Sequence, residues 1–195
     1  MGAKEIEILR PVFCREFSCI GPACTDNCCH TWRIDVDKKH YFQYRNVRDP
    51  EFHALCATAL RRKKKDATEE CFAILAHPAD GKCSFQDEDG GCRIYRLLGQ
   101  GSLCTTCTIY PRRRAQFLPG LQEFSLSLSC EEVVRLALFS GGPVKFERVT
   151  EALDEEDPFL LTPAITVQGR GFAPPPPFGQ PLRQACLDLM ADQTW

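Results

Sequence analysis

With 195 residues, a net charge of −2 and an isoelectric point of about 6.1, the chain can bury one ordinary core or one core plus a tail. That charge excludes a global positive field able to recruit nucleic acid or an acidic membrane. Thirteen cysteines are far above ordinary usage. Met1 to Arg10 holds no apolar signal region, and no apolar run reaches membrane length. A cytoplasmic protein without a membrane partner is therefore expected. In a reducing compartment, clustered cysteines serve metals or redox chemistry more often than disulfides.

In chain order, Ile6 and Ile8 alternate with polar neighbours and predict a strand. Cys19, Cys24, Cys28 and Cys29 then fall within eleven residues, among the turn formers Gly21, Pro22, Asp26 and Asn27. Thiols so spaced can converge on one point, which is what a soft metal needs. Adjacent Cys28 and Cys29 cannot both face one centre in a regular strand or helix. Either the backbone is irregular there, or one of the two serves a different partner. Trp32 to Val36 alternates as a short strand, and Asp37 to Val47 predicts a helix carrying Tyr41, Phe42 and Tyr44. A clearer helix opens with Asp49 as N-cap and Pro50 at the first helical position, and repeats Phe52, Leu55, Cys56, Ala59 and Leu60 at helical spacing. Its basic end, Arg61 to Lys65, reads as cations complementing a helix C-terminus rather than as a nucleic-acid patch.

Cys71 to Leu75 is short, apolar and ambiguous. Cys83 and Cys92 flank the acidic stretch Asp87 to Gly91, a hairpin tip without the spacing of a calcium loop. Ile94 to Leu98 predicts a helical turn closed by Gly99. Phe124 to Ser129 alternates strictly and is the best strand signal. Ser129 and Glu132 have capping-box spacing at the head of a helix running through Leu138 to Gly141 and Gly142. From about Lys145 to Gln180, an acidic run (Asp154 to Asp157) and the prolines 174–177 predict a poorly ordered linker. A helix returns with Leu182, Cys186 and Leu189 on one face. The expected fold is α+β, mainly helical with short strands, with a small cysteine-rich core organised around a metal site. The expected division is a metal-binding domain over 1–142, a linker over 143–181 and a further helical region over 182–195.

The order of motifs then becomes recognisable. Phe17-Ser18-Cys19 leads through Cys24, Cys28 and Cys29 to Trp32, followed by Cys83 and Cys92-Arg93-Ile94. Next come Thr106-Cys107-Thr108-Ile109-Tyr110-Pro111-Arg112 and Ser125-Leu126-Ser127-Leu128-Ser129-Cys130-Glu131. Over about Leu9 to Leu138, and again from Pro181 to Leu189, this resembles the flagellin lysine-N-methylase family. Its front portion is similar to the broader family of zinc- or iron-chelating domains with paired-cysteine patterns. The resemblance implies an enzyme that methylates flagellin lysines with S-adenosylmethionine and holds an iron–sulfur cluster, four-iron in preference to zinc. The cysteines it assigns to the metal are Cys19, Cys24, Cys28, Cys29, Cys83, Cys92, Cys107 and Cys130. Cys14, Cys56, Cys71, Cys104 and Cys186 fall outside the pattern, and buried packing is their default role. Members of the family continue through a further helical region, so a shortened form with little activity of its own is expected.

No donor site is legible in the residues. Gly99-Gln100-Gly101 follows a helix pattern rather than a strand, and Thr31 breaks the three-cysteine spacing of radical S-adenosylmethionine enzymes. Tyr110 and Arg112, inside a family motif, are the candidate donor-binding residues, and no catalytic residue is assigned. Tyr41, Tyr44, Tyr95 and Tyr110 are able to line a pocket that desolvates a lysine, but each reads first as a core or rim aromatic. The competing reading is a noncatalytic module whose cysteines hold zinc or a cluster without turnover. Either reading requires the motif cysteines to gather, with at least four sulfurs around a common centre.

Overall fold

A computed structural model describes residues 3–30, 32–118, 120–166 and 179–191. The elements are β1 (Lys4–Pro11), β2 (Asp35–Val36), α1 (Lys38–Arg45), α2 (Pro50–Ala59), β3 (Leu60–Arg62) and β4 (Ala73–Leu75). They continue with α3 (Arg93–Leu98), α4 (Thr105–Ile109), β5 (Arg112–Leu118), β6 (Leu121–Leu126), α5 (Glu131–Leu138), β7 (Phe146–Leu153), α6 (Pro158–Leu161), β8 (Ala164–Thr166) and α7 (Gly179–Ala191). The fold is α+β, as expected, but its strands are more extensive than expected and its helices short. No helix among the described residues is long and apolar enough to cross a membrane.

The chain divides into two compact units, residues 20–110 and the flanking 1–19 with 111–195. The expected boundary at 142 is not where this division falls. The flanking unit is built on a five-stranded sheet of order β7-β1-β6-β5-β8. β5 and β6 form an antiparallel hairpin that turns at Gly120, whose φ of +80° suits a residue without Cβ. β1 lies parallel to β6 and antiparallel to β7.

The linker expectation is corrected over 146–166. β7 pairs with β1 from Lys4↔Leu153 to Pro11↔Phe146, and β8 pairs with β5. Phe146 to Leu153 is rich in charge and gives little apolar signal of a strand. Its charges meet partners on β1: Arg10 Nε donates to Glu147 at 2.7 Å, Arg10 also pairs with Glu151, and Arg148 Nε donates to Glu7 at 2.6 Å. Charge on an outermost strand also discourages further pairing. The prolines 174–177 and residues 192–195 of the expected last helix lie outside the described residues. The expected capping box is also corrected, because the N-cap of α5 is Cys130 and Glu132 pairs instead with Arg135 at 2.6 Å.

The unit 20–110 carries a three-stranded sheet of order β2-β4-β3 with α1 to α4. Asp37 caps α1 through the backbone N–H of His40. Asp49 caps α2 through that of Phe52, with Pro50 in the first turn. Phe52, Cys56 and Ala59 recur at helical spacing and are fully buried. They meet Tyr44 and Phe85, with ring centroids 6.3 Å apart for Tyr44–Phe52 and 5.4 Å for Phe52–Phe85. The basic run does not extend α2. Leu60 ends the helix in extended conformation, and Arg61 and Arg62 belong to β3, with the Arg62 guanidinium 4.9 Å from the centre of the Phe72 ring.

Candidate metal centre

Irregular backbone solves the problem of the adjacent cysteines. The Asn27 side chain accepts from the Cys29 N–H at 3.0 Å, and the Trp32 indole N–H donates to the Cys28 carbonyl. The Cys29 carbonyl in turn accepts the Cys83 N–H at 2.8 Å, and His30 bridges Lys82. The first cysteine segment is thus stitched alongside the start of the hairpin. That hairpin closes through Asp87 N–H to Gly91 O at 2.8 Å and delivers Cys92 to the N-cap of α3. Its carboxylates are engaged by arginines, Arg93 to Asp87 at 2.9 Å and Arg96 to Asp89 at 2.7 Å, so the acidic turn is an ion-paired tip. Gly99 ends α3, a short 3-10 turn follows, and Cys104 sits at the N-cap of α4 with Cys107 one turn on.

Six thiols of this unit therefore gather. Cys83 and Cys104 are buried in its apolar core, with Cys29, Cys92 and Cys107 packed against it. Cys28 lies beside Cys29, and its thiol is pushed up by a hydrogen bond to Cys29, then by burial. Burial pushes the Cys83 thiol up to about 11, and the neighbouring Cys92, Cys104 and Cys28 add to the rise. Burial likewise raises Cys92, against hydrogen bonds from the Tyr95 and Ile94 N–H groups. Cys104 and Cys107 split as a pair. The Cys107 thiol donates to Cys104, which lowers Cys104 and, with burial and the charges of Cys104, Cys83 and Cys92, raises Cys107 well above the usual thiol range.

None of the six is in a disulfide. Among the described residues no three His, Cys, Asp or Glu side chains stand close enough to hold one metal ion. The expected convergence of four sulfurs on a common centre is thus not present as a closed site. What exists is a set of thiols that share one core and act on one another electrostatically. A tetrahedral ion needs its sulfurs at about 2.3 Å from one point. Thiolate sulfur is the donor that iron–sulfur clusters take, so the donor chemistry of these residues suits such a group.

The 35% identity to flagellar biosynthetic protein FliU of Salmonella muenchen extends over 130 residues, 67% of this chain and 76% of that protein. The lysine-N-methylases of Salmonella typhimurium and Salmonella choleraesuis are also 35% identical over 130 residues, and there the match spans 32% of their length. The chain belongs to the flagellin lysine-N-methylase family. No family model and no solved structure matches it.

The cysteines of the family pattern do not all fall in one unit. Cys24, Cys28, Cys29, Cys83, Cys92 and Cys107 lie in the unit 20–110, and Cys19 and Cys130 in the flanking unit. Cys19 is exposed, and Cys130 packs on Cys14, Leu126 and Val133. Cys104, outside the pattern, is the thiol that sequence reasoning missed; its Cys-x-x-Cys spacing with Cys107 was the available signal. Of the other cysteines expected to pack, Cys14 and Cys56 are buried and Cys186 is exposed. Cys71 instead donates to Asp35 at 2.9 Å and accepts from Lys63 at 3.3 Å. Tyr110 lies 5.5 Å from the Trp32 ring beside the first cysteine segment. Arg112 belongs to the flanking unit, 5.5 Å from the centres of both Phe17 and Phe159, where burial pushes its guanidinium down. Tyr44 donates to the Ser102 carbonyl at 2.6 Å as a core residue, whereas Tyr95 is exposed.

Proposed function

We infer that this chain takes part in S-adenosylmethionine-dependent methylation of flagellin lysines, and that its thiol-rich unit holds an iron–sulfur cluster, four-iron in preference to zinc. The observation that carries the activity is the 35% identity to proteins named lysine-N-methylase and flagellar biosynthetic protein. The gathering of thiols in one core, donors of the kind a cluster takes, supports the cluster. Cys83, Cys92, Cys104 and Cys107, with Cys28 or Cys29, are the residues that would hold it, and Cys19, Cys24 and Cys130 complete the family pattern. Bound there, the cluster would supply electron transfer or a Lewis-acidic iron. The raised thiols must lose their protons when the group binds, so loading should weaken as the pH falls.

In the transfer itself, the lysine ammonium first loses a proton to a base. Its nitrogen lone pair then attacks the sulfonium methyl carbon, the S–CH3 bond breaks, and its electron pair stays on sulfur as a neutral thioether. Tyr110 and Arg112 remain the candidates for the donor, Arg112 through its methionyl carboxylate.

A second reading, a noncatalytic metal module, is favoured by one observation. Gly99 closes α3 with φ of +84° and Gly101 lies in a 3-10 turn, so this glycine pair does not form the strand-to-helix phosphate turn of a nucleotide fold. The discriminating experiment uses anaerobically purified chain with flagellin and methyl-labelled S-adenosylmethionine, beside the full-length Salmonella lysine-N-methylase. Brown protein, bleached by dithionite and active in labelling lysine, supports the enzyme. Brown protein without transfer, both as this chain and when extended by the further region of the Salmonella enzyme, favours the module. Colourless, folded protein with stoichiometric zinc removes the cluster.

A further inference from the structure

Asp37 serves two elements at once. Its Oδ1 accepts from the His40 backbone N–H at 3.0 Å, which caps α1. The His40 ring donates from Nδ1 to both carboxylate oxygens, at 2.8 and 2.7 Å. Oδ2 also accepts from the backbone N–H and the hydroxyl of Thr105, each at 3.1 Å. Thr105 follows Cys104 directly, and Thr106 donates its hydroxyl to the Asp35 carbonyl at 2.6 Å. Both residues between Cys104 and Cys107 are therefore tied to the segment joining β2 and α1.

A cap alone does not require this. Asp49 caps α2 through one bond, from the Phe52 N–H at 2.7 Å. The bonds from Thr105 add nothing to α1; they hold α4. The Asp37 residue is only 8% exposed, so burial opposes its charge, yet the bonds from His40 and Thr105 hold its carboxyl well below the usual carboxylate range. A buried charge with every contact committed resists displacement, because leaving any donor unpaired is costly.

We propose that Asp37 is a positioning residue for the Cys104–Cys107 pair: by holding Thr105 it sets the directions in which both sulfurs leave α4, and so how firmly the unit keeps its metal group. This rests on the metal reading above. Partners of this kind behind a ligand typically change metal affinity by about 10–100-fold when removed.

The test compares the anaerobically purified holoprotein with Asp37→Asn, Thr105→Val and Asp49→Asn. Melting temperature, visible spectrum, metal per chain and the rate of metal loss to a chelator are measured for each. Asp37→Asn should lose metal about tenfold faster or more, and Thr105→Val about threefold faster through one lost hydroxyl bond. Asp49→Asn, which likewise replaces a capping carboxylate by an amide, should keep the wild-type rate. Equal metal loss in the two aspartate variants at equal melting temperature would reduce Asp37 to a cap and overturn the proposal. If Asp37→Asn does not fold, Thr105→Val decides, and a wild-type rate there overturns it. A wild-type chain that takes up neither iron nor zinc overturns the metal reading and this inference with it, whereas a metal-loaded wild type with indifferent variants overturns this inference alone.

Discussion

Cys56 and Cys83 show what burial does to a thiol. Each is pushed up to about 11 from 9.0, Cys56 by burial alone against the Arg45 charge and Cys83 by burial with neighbouring cysteines. The folded chain therefore holds these protons more tightly than the unfolded chain does. Their contribution to stability is complete below the unfolded value of 9.0 and is lost as the pH rises toward about 11. Denaturant midpoints of the metal-free chain should be level near neutral pH and fall through that alkaline window. Cys56→Ala should make the fall shallower, and a midpoint that climbs there would contradict the argument. Cysteine spacing marked Cys83 as chemically special and left Cys56 as packing, yet titration treats the two alike until a metal arrives. Proton affinity follows from surroundings, and surroundings are set by residues distant in sequence, such as the Cys29 carbonyl that holds the Cys83 N–H.

At the scale of elements, β7 depends on Arg10. This guanidinium is 7% exposed and pairs with both Glu147 and Glu151 across the β1–β7 ladder. Arg10→Ala removes the cation that Glu147 and Glu151 share, leaving Glu147 only its pair with Arg15 at 2.6 Å, and should destabilise the chain by about 3 kcal/mol in denaturant unfolding. Arg10→Met, which keeps the apolar stem, should cost less. The amides of 146–153 that bond to β1 should exchange slowly; fast exchange at those positions would restore the linker reading. The helices α1 and α2 were legible because Asp37 or Asp49 stands at their head and apolar residues recur along them. β7 was not, because its signal is cross-strand charge pairing with β1, which no local window contains.

Across the whole molecule, the buried core of Tyr44, Phe52 and Phe85, with the thiols around it, lies within residues 20–110. Phe52→Ala should cost about 3–5 kcal/mol by leaving a cavity among these rings. Expressed alone, residues 20–110 should keep the same metal per chain as the full sequence, measured by metal analysis of folded protein. Metal binding free energy adds to the stability of the unit that holds the ligands, so chelation should lower the denaturant midpoint of residues 20–110. The sequence by itself determined the chemistry: many thiols in turn-rich segments, an acidic hairpin tip between Cys83 and Cys92, capped helices, and motifs in the order of one enzyme family. Tertiary structure alone decided which thiols meet. Cys104 comes to the other thiols, and Asp37 to Thr105, because the turn after α3 folds back onto the segment between β2 and α1. That encounter joins residues nearly seventy positions apart, Asp37 and Thr105. Local spacing can supply the ligands for a metal, but their distances are set by the core that carries them.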